Sequence, residues 1–234
     1  MCEAPLEEFS RIPVCARCLT EQTPSQAEHF CLRCRTPFLN PRPLNDDGLC
    51  RLCAAGVTAF EAAYTCGGYD GAMRDLIHLY KYRQMRPLTA HFGQMLARAF
   101  PRDQLFDAIV PVPMHWRKFF ARGFDQTRLL AAEVSRRTGI PVRRALRKTR
   151  HTPAQAGLSR ARRRTNVARA FHVPLPGDVR GLHVLLLDDV LTTGATVNAA
   201  AAALKRAGAA RVSVLTLARA DRLAFSRLSQ GATS

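Results

Sequence analysis

Residues 181–188, GLHVLLLD, form an apolar run that ends in a carboxylate, and Asp189 adds a second carboxylate at once. A run of this length without polar alternation cannot face water on either side, so it belongs in a sheet covered on both faces. Two further segments have the same character, FDAIVPVP at 106–113 and ARVSVLTLAR at 210–219. Between and before them lie segments with helical spacing: Met73, Leu76, Ile77 and Tyr80, a second amphipathic run after Pro87, residues 126–138 and residues 197–207. Apolar strands alternating with helices predict an α/β fold, a parallel-type sheet flanked by helices. Five consecutive alanines in VNAAAAALKRAG let that helix sit close on the sheet, and Gly208 supplies its C-terminal stop.

The first 60 residues are of another kind. They are rich in Pro, Cys and turn residues, as in FCLRCRTPFLNPRPLNDDGLCRLC, and hold no sustained helical or strand period. Cys31, Cys34, Cys50 and Cys53 read C-x2-C-x15-C-x2-C, the spacing of a zinc ribbon whose two knuckles supply four thiolates. A segment this poor in apolar residues needs such a staple, because metal binding supplies folding free energy directly. A third pair, Cys15 and Cys18, stands upstream and offers an alternative set with Cys31 and Cys34. The expected division is a small zinc-binding module over 1–60 and an α/β domain over 61–234. Substituting a ligand such as Cys50 by serine is expected to release zinc and destabilise only the module.

Charge narrows the partners. The chain has 35 Lys and Arg against 18 Asp and Glu, a formal net charge of +17, which favours phosphorylated small molecules, nucleic acid or anionic lipid. Residues 134–177 hold 12 of these cations and no acid. The N-terminal MCEAPLEEFSRIP carries acids and no apolar core, unlike a secretory signal, and no run is long enough to span a membrane. A cytoplasmic location is expected, where cysteines serve as ligands or free thiols more often than as disulfides.

The site is expected at the carboxyl end of the strand over 182–188, where parallel sheets bind ligands. After Asp188 and Asp189 the chain passes into a loop of small residues, Thr192, Thr193, Gly194, Ala195 and Thr196, and then into a helix. Loop and helix amides converging on one point make a phosphate cradle, with Gly194 allowing close approach and the threonines adding hydroxyls. Carboxylates beside a phosphate would repel it unless they accept hydrogen bonds from something else, and sugar hydroxyls are donors. The pattern therefore predicts a sugar-phosphate site.

The full stretch VLLLDDVLTTGAT at 184–196 resembles the phosphoribosyl pyrophosphate (PRPP) signature of type I phosphoribosyltransferases. YDGAMRDLIHLYKY (69–82), IVPVPMHWRKFFARGFDQTRLLA (109–131) and RKTRHTPAQAGLSRARRRTNVARAF (147–171) are similar to the ComF family, phosphoribosyltransferase-like proteins associated with bacterial competence. The resemblance implies a type I phosphoribosyltransferase fold binding PRPP with Mg²⁺, ribose on Asp188 and Asp189 as the catalytic pair, and the 5-phosphate in the threonine loop. It implies pyrophosphate contacts at Val112, Pro113, His115, Arg117 and Lys118. It further implies a closing loop over 147–169 with Gln155, Arg160 and Arg164 within reach.

A role in DNA uptake, with single-stranded DNA and competence-machinery proteins as partners, is implied as well. The alternative is an active transferase that passes phosphoribosyl to a nucleobase or amine. Thr192 stands where hypoxanthine-guanine enzymes carry an acidic base, so a purine acceptor of that type finds no obvious one here. Asp125 stands where the family pattern has Asn.

Overall fold

The computed structural model describes residues 12–20, 28–38, 40–114, 119–120, 122–148 and 170–220. Its centre is a four-stranded, all-parallel sheet in the order β3-β8-β7-β4, built from β3 (Ala62–Gly68), β4 (Ala108–Pro111), β7 (His183–Leu191) and β8 (Arg211–Arg219). The two central strands are the two longest apolar runs, as burial on both faces requires. Beyond β4 the sheet gains one more rung, where Ile109 donates to the Pro141 carbonyl at 2.9 Å and accepts from the Arg143 amide at 2.9 Å.

Strand residues alternate between two buried clusters, as a pleated sheet demands. Val184, Leu186, Val212 and Val214 face α6 (Ala195–Arg206). Leu185, Leu187, Leu215 and Leu217 face α3 (Gly71–Tyr82), α4 (Leu88–Ala99) and α5 (Gln126–Thr138). Met73, Leu76, Ile77 and Tyr80 are the buried stripe of α3, as their spacing predicts. At Gly93 an added Cβ would stand 2.0 Å from Glu133 Cγ, so glycine is what lets α4 approach α5.

Three boundaries differ from the sequence expectation. The apolar run stops before its strand does: β7 continues to Leu191, pairing Val190 with Ala218 and Leu191 with Arg219, so the acid pair lies inside the strand. Helix α6 begins two residues before Val197, at Ala195, directly after Gly194 in the left-handed region (φ 80°). Strand β3 was not marked by any apolar run; its residues AAYTCGG are small and mixed, because it is an edge strand with only β8 beside it.

The described part of the first 60 residues is divided between the two faces. Helix α1 (Ala16–Thr20), with Val14 and Cys18, packs in the cluster with α3 and α4. The strands β1 (His29–Phe30) and β2 (Pro37–Phe38) pair antiparallel, and α2 (Arg51–Ala54) follows. The cysteines around them lie in the other cluster, with Val184 and Val197. Strands β5 (Arg147–Lys148) and β6 (Phe171–His172) form a separate antiparallel pair.

Candidate functional site

The acid pair sits near the carboxyl end of β7, flanked by the ends of β4 and β8. The Asp188 carboxylate accepts the Asp189 amide at 2.9 Å. The Asp189 carboxylate accepts Lys81 Nζ at 2.7 Å, and both side chains are largely shielded, 13% and 14% exposed. Lys81 comes from the last turn of α3, so the helix that covers one face of the sheet also delivers the counter-charge. Burial, and then the charge of Asp189, push the Asp188 carboxyl up to about 7, with Lys81 and Lys148 pulling the other way. One carboxylate of the pair is thus ion-paired with Lys81, and the other titrates near neutrality.

This has a stability consequence with a definite sign. Because the folded Asp188 holds its proton up to about pH 7 and the unfolded one only to about 4, stability falls as pH rises through that window and the penalty is full above it. Asp188→Asn is expected to match the wild type near pH 4 and to be more stable by on the order of 2 kcal/mol at pH 8, since partial solvation tempers the full shift. Thermal melts of both proteins at the two pH values test this; equal stability at pH 8 overturns it.

After Leu191 the chain leaves the strand and turns through residues 192–194 into α6. The amides of Ala195, Thr196 and Val197 are in the first turn, where intrahelical acceptors are lacking. Ala195 has a long 3.4 Å contact to Thr193 Oγ1, and Asn198 begins the helical ladder with a 2.9 Å bond to the Gly194 carbonyl. Thr193 is exposed, and the positive dipole end of a three-turn helix stands behind it. Asp188, Asp189, Thr192, Thr193, Gly194, Ala195 and Thr196 are therefore contiguous on one rim of the sheet.

At the neighbouring turn, Val112 is buried and both of its main-chain groups are engaged. Its amide donates to the Leu187 carbonyl at 2.9 Å, and its carbonyl accepts the Thr127 hydroxyl at 2.8 Å. Val112 fixes the turn and has no free donor for a pyrophosphate, and Pro113 has no amide to offer. His115, Arg117, Lys118, Gln155, Arg160 and Arg164 lie outside the described residues, as does Trp116. Asp125 caps α5, accepting the Arg128 amide at 3.2 Å, a task that aspartate and asparagine perform equally well.

Cys31, Cys34, Cys50 and Cys53 are all buried, and their sulfurs lie within 4.8 Å of one another. The Cys34 and Cys50 sulfurs are 3.7 Å apart. A tetrahedron with Zn–S bonds of about 2.3 Å has edges of about 3.8 Å, so the four fit a metal such as zinc. The Cys50 amide donates to Cys31 Sγ at 3.3 Å, a contact that ties the second knuckle to the first. Hydrogen bonds from Cys34 and Cys53 hold the Cys31 thiol low, while those two thiols are driven up, so the cluster shares its ionisation and would release protons to a divalent ion. Cys15 and Cys18 stand apart: the Cys18 amide meets Cys15 Sγ at 3.4 Å on the opposite face of the sheet.

Sequence reasoning missed Lys81, whose spacing from Tyr80 only marks a helix end, and Arg219, which looks like the boundary of a strand. The aromatics after the β4 turn divide. Phe124 is buried against Tyr80, ring centroids 5.3 Å apart, while Phe119 and Phe120 are exposed. Tyr82, in the same last turn of α3 as Lys81, is exposed, with the Arg122 guanidinium 5.2 Å from its ring and the His78 ring 5.2 Å away.

Comparison with known proteins gives this arrangement its kin. A family model described as phosphoribosyl transferase domain matches residues 127–226. The DNA utilization protein YhgH of Salmonella typhimurium is 30% identical over 228 residues, 94% of this chain and 95% of that one. Competence protein F of Haemophilus influenzae is 29% identical over 73% of this chain and 78% of its own length. Competence protein ComFC of Bacillus subtilis is 26% identical over 82% and 85% respectively.

Proposed function

The chain belongs to the ComF family of phosphoribosyltransferase-like proteins, and on that premise we propose that its rim site binds PRPP with Mg²⁺ and that the protein serves in handling single-stranded DNA. The observation that carries the ligand reading is the contiguity of the acid pair with the glycine-led N-terminus of α6. Ribose hydroxyls would donate to Asp188 and Asp189, and the 5-phosphate would lie against residues 192–196. Lys81 lowers the repulsion that two carboxylates would exert on a polyanion. Mg²⁺ would be held mostly by phosphate, ribose and water oxygens, with no dedicated protein cage. Zinc in the cysteine cluster would be structural.

The DNA reading draws on the names of the relatives, on the 12 cations over 134–177, on the exposed rings of Tyr82, Phe119 and Phe120, and on the half-buried Arg122 beside Tyr82. Cations beside solvent-exposed aromatic rings are what a strand of unpaired bases needs. A cytoplasmic location and contact with other competence proteins follow from the same reading; no helix among the described residues is long and apolar enough to cross a membrane. A second reading, an active phosphoribosyltransferase with a nucleobase or amine acceptor, is favoured by Asp188, whose carboxyl near neutrality suits proton transfer.

Two measurements divide these. Pyrophosphate release from PRPP and Mg²⁺ is followed with purine, pyrimidine and simple amine acceptors; acceptor-dependent release makes the protein a transferase, and binding without release leaves PRPP as a ligand. Affinity for a labelled oligo(dT) is expected to fall tenfold or more between about 50 and 200 mM salt. A flat response or no binding overturns the DNA reading.

A further inference from the structure

The cysteine cluster and the phosphate loop face each other across one cavity. The cavity is lined by Cys34, Cys53 and Thr58 on one side and by Thr193, Gly194 and Arg219 on the other. Two polar ties cross this junction, one buried and one partly exposed, and they grip the loop at both ends.

The first tie runs through Arg219, the last residue of β8 and only 3% exposed. Its Nη1 donates to the carbonyl of Leu191, the residue from which the loop departs, at 3.3 Å. Its Nη2 donates to Thr36 Oγ1 at 2.5 Å. Thr36 is fully buried, and its oxygen lies 2.9 Å from Cys34 Sγ. When Cys34 is a thiolate, as a zinc ligand must be, it has no proton to give and the Thr36 hydroxyl is the donor of this contact. A hydroxyl donating to a ligand sulfur is the kind of outer contact that tunes and orients a metal ligand. A tetrathiolate zinc centre carries a net charge of −2, which a guanidinium two bonds away complements.

The second tie is Asn198, in the first turn of α6. Its Oδ1 accepts the Ala59 amide at 2.6 Å and its Nδ2 donates to the Val57 carbonyl at 3.1 Å. Residues 57–59 leave α2, the helix that carries Cys53. The knuckle itself is fastened to the sheet edge, since the Ala63 amide donates to the Arg33 carbonyl at 2.7 Å. Residues 192–197 are thus suspended between Leu191 and Asn198, and both anchors bear on the cysteine module.

We propose that Thr36, Arg219 and Asn198 are positioning residues that hold the phosphate loop through the cysteine cluster, so that zinc occupancy and affinity for a phosphate ligand are interdependent. The proposal rests on the reading that this loop takes PRPP. Linkage then makes the effect reciprocal: zinc raises PRPP affinity by the factor by which PRPP raises zinc affinity.

The test uses the full zinc-loaded chain. A zinc-selective chromogenic chelator is titrated with and without saturating PRPP and Mg²⁺, and PRPP affinity is measured by calorimetry. PRPP is expected to move the chelator midpoint of the wild type about tenfold. Thr36→Val, which keeps the shape and deletes the hydroxyl, is expected to retain one zinc per chain, to bind PRPP several-fold more weakly and to lose most of that midpoint shift. Asn198→Ala is the second variant, for it cuts the other tie without touching the buried Arg219 network. Wild-type chain that binds PRPP with no shift in the chelator midpoint overturns the coupling while leaving the ligand reading intact. Zinc-loaded chain that does not bind PRPP overturns the ligand reading, and the coupling falls with it.

Discussion

Replacing Asp188 and Asp189 together by alanine is expected to weaken PRPP binding by at least a hundredfold while the chain still folds. Each carboxylate is expected to accept a ribose hydroxyl, and a hydrogen bond to a charged group contributes roughly 1.5–3 kcal/mol, so the pair accounts for two powers of ten or more. The fold is expected to survive because the two side chains contribute little apolar burial and oppose each other: Asp188 is pushed up to about 7 by burial and by its neighbour. One cost runs the other way. Lys81, 13% exposed, loses its partner at 2.7 Å, and its retained contact with solvent limits the penalty. The net change in melting temperature is expected to stay within a few degrees. Calorimetry with PRPP and Mg²⁺, alongside thermal melts of the same samples, decides it. Unchanged affinity in a folded double mutant removes the acid pair from the site; a collapsed melt makes the pair structural.

The contrast between these carboxylates and Lys81 shows what a linear chain discloses. The acid pair and the threonine loop are consecutive, so their chemistry is written in one stretch and survives translation into structure with only the strand end moved to Leu191. The cysteine spacing is legible for the same reason, because each knuckle is a local turn. Lys81 reaches Asp189 across 108 residues and Arg219 reaches Thr36 across 183, and nothing in either neighbourhood marks the partner. Strand β3 was missed through composition: an edge strand has one neighbour and needs no continuous apolar run. Asp125 is the reverse case, since its cap bond to the Arg128 amide explains a departure from the family pattern that sequence alone left open. The division of the N-terminal segment between two faces could not be read at all, because Cys18 and Cys31 look alike until packing assigns one to each cluster.

That division changes what loss of the metal is expected to do. Taken as a separate module, the cysteine segment would unfold alone. In the structure, Cys31, Cys34, Cys50 and Cys53 share one buried cluster with Val184 and Leu186 of β7 and with Val197 and Leu204 of α6. Cys50→Ser is therefore expected to lower zinc content from one per chain to near zero and to carry the damage into the sheet. Structural zinc sites contribute on the order of 10 kcal/mol to small domains. Even half of that, in a chain of this size, corresponds to roughly 10 °C or more in melting temperature.

Hydrogen exchange is expected to show lost protection in β7 and α6, and not only around residues 31–53. Cys15→Ser is the matched control. Its thiol lies on the far side of the sheet, beside α3, so that variant is expected to keep its zinc. Zinc retained in Cys50→Ser, or released from Cys15→Ser, would move the metal to the other cysteine pair. Zinc lost with β7 still fully protected would restore the independent module that packing here argues against.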